Sequence, residues 1–343
     1  MRAFGRYFWY RIKSTSLRLA ALAAIATLLS SLFVFVYQTI EGKEWDYYSG
    51  SCTWLGISAC ILAVVLPMLE LLGLKNRRNL DTLLFMPINS GKMLAVRLFN
   101  GFLQLVITTA ASFLMAAAKI GVMDNADKRI SDIAEFYFVL IAHAAIIYIV
   151  VSFAIFVANN AFDGVVFALG YSFIFANVAE ALMQTFGQSK LGYSQEFLLY
   201  APLARVTKIY DRTVFFDYKR SHMQWVQENL EYFKGKYCYE SLYLWICVAV
   251  CMAIALVFLG ARLKSHKMGE ISDSIFGYKS LIPFYAITSV FSMDTGNPST
   301  KFIIVIVAYI GYAVYRRGIK LRLSDYLWIG LIFATIVCDI VFL

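Results

Sequence analysis

KNRRNLDTLLFMPINSGKMLAVR, residues Lys75 to Arg97, is a short charged stretch set between two long apolar runs. Lys75, Arg77, Arg78, Lys92 and Arg97 face a single acid, Asp81, and Pro87 and Gly91 punctuate the chain. Leu80, Leu83 and Leu84 recur within it at helical spacing. The flanking runs, 53–74 and 98–119, each have about the 20 apolar residues that a lipid-crossing helix needs. The stretch therefore reads as a structured elbow at one membrane face. The chain that carries it reads as an all-α, polytopic membrane protein.

Composition agrees. Of 343 residues 60% are hydrophobic and 15% charged, with a mean hydropathy of +0.67. No soluble core hides that much apolar surface. The 28 Phe and 22 Tyr suit interfacial aromatic belts. The net charge of +9 would suggest nucleic acid in a soluble protein. Here the basic residues cluster in particular loops, so the positive-inside bias explains them and membrane lipids are their expected partners. Cys60, Cys247, Cys251 and Cys338 lie in apolar runs as small hydrophobes. Cys247 and Cys251 share a helix face without His or acidic company, which argues against a metal. Cys52 and Cys238 both fall near the expected outer surface, and their spacing leaves a disulfide open.

Working outward, spans are expected at 17–37, 53–74, 98–119, 136–158, 164–184 and 240–261, with weaker ones at 280–295, 301–315 and 326–343. Pro283 makes 280–295 a kinked or partial span. The segments 75–97, 262–279 and 316–325 are basic, whereas 38–52 and 124–135 are acidic. Nine spans with a cytosolic N-terminus put every strongly basic short loop inside a plasma membrane. The long basic loop 185–239 falls outside, where length overrides charge. It reads as an outer cap. The first apolar run is about twice a signal-peptide core and ends in no small-residue cleavage site, so it is expected to be retained. Before it, MRAFGRYFWYRIKSTS (1–16) places Phe4, Tyr7, Phe8 and Ile12 on one helical face and Arg2, Arg6 and Lys13 off it. An interfacial amphipathic helix is the expectation. The domain plan is then 1–16 interfacial helix, 17–261 six-span core, 262–279 basic connector and 280–343 further spans. The final ATIVCDIVFL runs to the terminus in mid-span, which fits either an end at the outer surface or a longer protein.

Motifs for catalysis are missing. SGKM (Ser90–Met93) has the Gly-Lys of a P-loop, but Met86 stands where its first glycine belongs. Neither H-E-x-x-H nor G-x-S-x-G occurs. A serine triad or zinc site is unsupported, and no enzyme activity, cofactor or metal is expected of this chain. Charged and polar residues inside the spans come next, because lipid makes them costly. Glu70 and Lys119 lie near span ends, where snorkelling is the simplest reading. His143 suits a neutral hydrogen bond between helices, with a proton-relay role as the alternative. Asn100, Gln104 and Thr108 form a polar stripe at i, i+4 and i+8, and Asn177, Glu180 and Gln184 form another at i, i+3 and i+7. Both stripes are expected to face a bundle interior, a subunit interface or a substrate path. Asp339 lies in the last span or at its outer edge.

On these residues the elbow NRRNLDTLLFMPINSGKMLAVRLFNGFLQLV resembles the segment after the second span in permease subunits of type-2 ABC exporters. The pattern "lPis+.k" of that family stands here as Met86 to Lys92. ARLKSHKMGEISDSIFGYKSLIPF resembles the basic strip after the sixth span in Gram-positive relatives, including the acetoin-linked permeases. Gly269 and Phe276 fit that strip, whereas Lys267 stands where a Glu is expected. Such relatives also carry a large outer domain, which has no counterpart here. The resemblance implies two permease subunits and a separate cytosolic ATPase that holds ATP and magnesium. It makes the elbow a coupling helix, with Leu80, Leu83 and Leu84 as the gripping face, Arg77, Arg78 and Lys92 at the contact and Pro87 at the turn. The loop 159–164 would be a second contact. A hydrophobic, lipid-like or peptide cargo is implied for export. The alternatives are an ion-coupled transporter or channel with Glu180 as its intramembrane site, and a membrane enzyme acting on lipid or cell-wall precursors.

Overall fold

The computed structural model describes residues 2–33, 35–40, 46–51, 53–71, 90–121, 130–158, 162–171, 274–291, 298–316 and 318–342. The described chain is helical with one short hairpin. In order it runs α1 (Arg2–Phe33), β1 (Phe35–Ile40), β2 (Asp46–Ser51), α2 (Thr53–Leu71), α3 (Ser90–Gly121) and α4 (Ile130–Val157). Then follow α5 (Phe162–Tyr171), α6 (Ser274–Phe291), α7 (Pro298–Arg316) and α8 (Leu323–Phe342). Five of these helices, in α1, α2, α3, α4 and α8, are long and apolar enough to cross a membrane. The protein is membrane-embedded.

Burial carries the same conclusion. Large apolar side chains face outward: Leu17 is 84% exposed, and Trp9 and Phe138 70% each, while Glu70 and Thr108 have no exposure. Water would penalise that inversion, whereas lipid tails solvate the outward face and leave polar groups to pair inside. On α2 the buried Leu55, Ala59, Ala63, Leu66 and Glu70 form a stripe at near-helical spacing, and Ile61, Val65 and Leu69 form the outward one. Pro67 sits inside this helix. Its lost backbone donor is tolerable where neighbouring helices re-satisfy the freed groups.

The chain divides into two compact units. The described part of the first holds α1, the hairpin, α2 as far as Glu70, α3 and the start of α4 to Ile149. Its helices alternate in direction. Phe33 at the end of α1 stacks near Trp54 at the start of α2, ring centres 4.9 Å apart, so the hairpin between them reverses the chain. Contacts between α1 and α3 rise together along both helices. Phe8 meets Phe99, ring centres 5.5 Å apart, and the Ser30 hydroxyl donates to the Ser112 carbonyl over 2.9 Å. The two helices are therefore parallel. On α4, the Tyr148 hydroxyl donates to Leu98 O over 2.8 Å and that of Tyr137 to Val106 O over 3.0 Å, so α4 runs back along α3. At Gly101 a side chain would strike the Tyr148 hydroxyl and come within 3.2 Å of Glu70 Cγ. The glycine lets three helices approach at one level.

The second unit contains the end of α4, α5, α6, α7 and α8. Phe153 and Tyr171 meet edge to face, ring centres 5.4 Å apart. A Cβ on Gly170 would stand 2.6 Å from Leu281 Cδ1, so α5 and α6 pack closely there. Lys301 Nζ donates to Asp339 Oδ2 over 2.6 Å, joining the start of α7 to the end of α8. Asp325 in the first turn of α8 accepts the Arg322 N–H over 3.3 Å, closing the helix start with a negative charge.

Three features differ from the sequence reading. The expected interfacial helix 1–16 and the start of the first span are one continuous helix of 32 residues. The span expected to reach residue 37 ends at Phe33, because Phe35–Ile40 pairs antiparallel with Asp46–Ser51, Phe35 opposite Ser51. The hairpin is an addition to an otherwise all-α expectation. The expected spans 172–184 and 240–261, the cap 185–239 and the connector up to 273 lie outside the described residues.

Candidate functional site

The polar ends of α1, α2 and α3 meet in a cluster built around one carboxylate. Arg11, Thr15 and Arg18 recur at i, i+4 and i+7 on α1, which puts them on one face. Glu70 comes from the last turn of α2, and Arg97, Asn100 and Gln104 from the first half of α3. The Glu70 side chain is fully buried and ion-pairs with both Arg11 and Arg18, one on each oxygen. Asn100 Nδ2 donates to Glu70 Oε1 over 3.1 Å and lies 3.3 Å from the Thr15 hydroxyl. Arg18 Nε donates to Gln104 Oε1 over 3.1 Å. Arg97 Nη1 donates to the Glu70 carbonyl over 3.0 Å, and its Nε to the Tyr7 hydroxyl over 3.3 Å.

A charge this deep survives only when it is paired and hydrogen-bonded. Glu70 meets that condition, so the snorkelling expected of it is corrected. Its carboxylate turns inward because two guanidinium groups and an amide wait there. Lys119 also has a specific partner: its ammonium donates to the Ser31 carbonyl in the last turn of α1, where positive charge is favourable.

The expected polar stripe of α3 is brought together with this cluster. Asn100 and Gln104 belong to it, and Thr108 continues the line one turn further, fully buried. The Thr108 hydroxyl, Gln104 Nε2 and Arg11 Nε find no hydrogen-bond partner among the described residues. His143 is buried on α4, its Nδ1 2.8 Å from the Val139 carbonyl of its own helix. That is an intrahelical bond, not the interhelical one expected, and Nε2 has no partner among the described residues. Lys92 is exposed in the first turn of α3. Arg77, Arg78, Leu80, Leu83, Leu84 and Pro87, and likewise Asn177, Glu180 and Gln184, lie outside the described residues.

Arg11, Arg18 and Glu70 as one network escaped the sequence reading, as did Lys301 with Asp339. The usable signal was present: an Arg-x₆-Arg pair on one helix face and one acid near the end of the next apolar run. Lys301 and Asp339 are likewise opposite charges in adjacent apolar segments, and both are buried. Among the described residues no group of three His, Cys, Asp or Glu side chains is placed to hold a metal ion.

The arrangement fastens three helix ends together at one level. Arg97 ties the first half of α3 to the end of α2. The chain matches no protein-family model, no curated protein and no solved structure.

Proposed function

We propose that this chain is the membrane-spanning permease subunit of an ATP-binding cassette exporter, energised by a separate ATPase that docks on the elbow at 75–97. The observation that carries the reading is the elbow in the sequence: a leucine-bearing, basic stretch that follows α2 and leads into α3, two helices that Arg97 joins through the Glu70 carbonyl. A partner docked on such an elbow would push the helices on either side of it, because packed helices move as rigid bodies. Leu80, Leu83 and Leu84 supply the apolar face of a helix-in-groove contact. Arg77, Arg78 and Lys92 meet the partner or the headgroups. The topology that goes with this reading is a six-span core with about three further spans, an N-terminal stretch at the inner interface and a cytosolic N-terminus in the plasma membrane. ATP and magnesium belong to the partner.

Purification from the native membrane with a mild detergent tests it. Wild-type protein is expected to bring down an ATP-hydrolysing subunit. The pair Leu83→Asp and Leu84→Asp is expected to lose it while the permease stays folded. Retention of the ATPase by that variant contradicts the proposal, and so does wild-type protein that never carries one.

A further inference from the structure

The cluster around Glu70 holds more positive charge than it neutralises. Three guanidinium groups, from Arg11, Arg18 and Arg97, gather around a cluster with one carboxylate. Glu70 takes ion pairs from Arg11 and Arg18, and among the described residues Arg97 finds neutral oxygens, the Glu70 carbonyl and the Tyr7 hydroxyl. Among the described residues no second acid reaches these arginines. Donors are in surplus too. Gln104 is 2% exposed, yet among the described residues its Nε2 has no acceptor, and neither has Arg11 Nε. An uncompensated charge and an unmatched buried donor are each unfavourable. Both are resolved by one anion with several acceptor oxygens.

The depth of the cluster says which anion. Leu19–Phe33 of α1, Thr53–Leu69 of α2 and Leu98–Ala118 of α3 carry no charge, and the cluster lies at the polar end of all three. It therefore sits at the level of lipid headgroups. Arg11 and Arg18 keep 17% and 25% of their side chains accessible, so the cluster reaches the surface of the protein. Guanidinium forks match phosphate oxygens in bidentate fashion. We propose that Arg11, Arg18 and Gln104 form a binding site for the phosphate of an anionic phospholipid, with Glu70 orienting the two arginines. The site stands apart from the permease reading.

The test uses full-length protein in detergent, titrated with phosphatidylglycerol or phosphatidylcholine and followed by native mass spectrometry and thermal unfolding. Wild-type protein is expected to prefer phosphatidylglycerol. Arg18→Gln is expected to reduce that preference by about five-fold, the worth of one basic side chain near a charged surface. Arg6→Gln, at an exposed position of the same helix, is expected to leave it unchanged. Gln104→Glu supplies the missing anion from within. It should abolish the preference while the midpoint without lipid stays level or rises, which separates a lost site from a lost fold. Equal preference in all four proteins overturns the proposal, as does an equal loss in Arg6→Gln. A midpoint lowered by Gln104→Glu in the absence of lipid also overturns it. Inorganic phosphate that protects as well as phosphatidylglycerol, against chloride at matched ionic strength, assigns the site to a soluble anion and overturns the lipid.

Discussion

Glu70 joins Arg11 and Arg18, residues 59 and 52 positions away in sequence, at a point with no exposure to solvent. Removing one partner of a buried ion pair costs about 3–5 kcal/mol, because the other charge stays buried and unmatched. Glu70→Ala is expected to destabilise the protein by that order, read as a lowered thermal midpoint in detergent. Arg11→Gln should cost less, since the buried carboxylate keeps its ion pair with Arg18 and its hydrogen bond from Asn100. Equal, negligible costs for both would show that the pairs contribute nothing. Gly101→Val pushes a methyl group into the Tyr148 hydroxyl and toward Glu70. Overpacking of this kind costs about 1–3 kcal/mol, and a variant that melts with the wild type would refute the close approach. The sequence shows the Asn100, Gln104 and Thr108 stripe plainly, because a period of four is visible within one helix. It hides the role of Glu70, because a single acid near the end of an apolar run looks the same whether it snorkels or pairs inward. Only the register of other helices decides that.

Among the elements, α1 is the main surprise. Its 32 residues span about 48 Å at 1.5 Å per residue, against about 30 Å of hydrocarbon. The sequence announces a helix on both sides of residue 16 but not the join, since a change of composition from basic to apolar is not a helix stop. Ser14, Thr15 and Ser16 at the join are helix-capping residue types, but their hydroxyls donate back to the Arg11 and Lys13 carbonyls and the helix runs through them. Leu17→Pro therefore tests continuity: it removes the bond to the Lys13 carbonyl and should cost about 3 kcal/mol. Helical signal lost in circular dichroism with a lowered midpoint is the expected outcome. An unchanged midpoint would mean two helices hinged at that point. The hairpin is harder to foresee, because Phe35, Val36 and Tyr37 suit a span as well as a strand. At α7 and α8 the buried pair Lys301 and Asp339 gives a double-mutant cycle. Lys301→Met or Asp339→Leu alone should destabilise strongly, and the double variant should recover most of the loss. Additive losses would show that the two groups are not paired.

At the scale of the whole molecule, the fold class is legible because lipid imposes one rule everywhere: apolar outside, polar groups paired within. Leu17 and Phe138 outward and Glu70 and Thr108 inward obey it. Partner and cargo are less legible, since a leucine face such as Leu80, Leu83 and Leu84 suits a protein groove and a lipid surface equally. The ends of α2 and α3 that flank the elbow are joined by Arg97 and the Glu70 carbonyl. A photoreactive phenylalanine analogue at position 83 tests the elbow most directly, with one at Leu28, an outward residue in the apolar part of α1, as the lipid-facing control. After irradiation of native membranes, the expected result is an adduct at position 83 whose added polypeptide binds and hydrolyses ATP, and no such adduct at position 28. Lipid adducts alone at both positions would contradict the proposal that this elbow is where ATP hydrolysis on another chain takes hold.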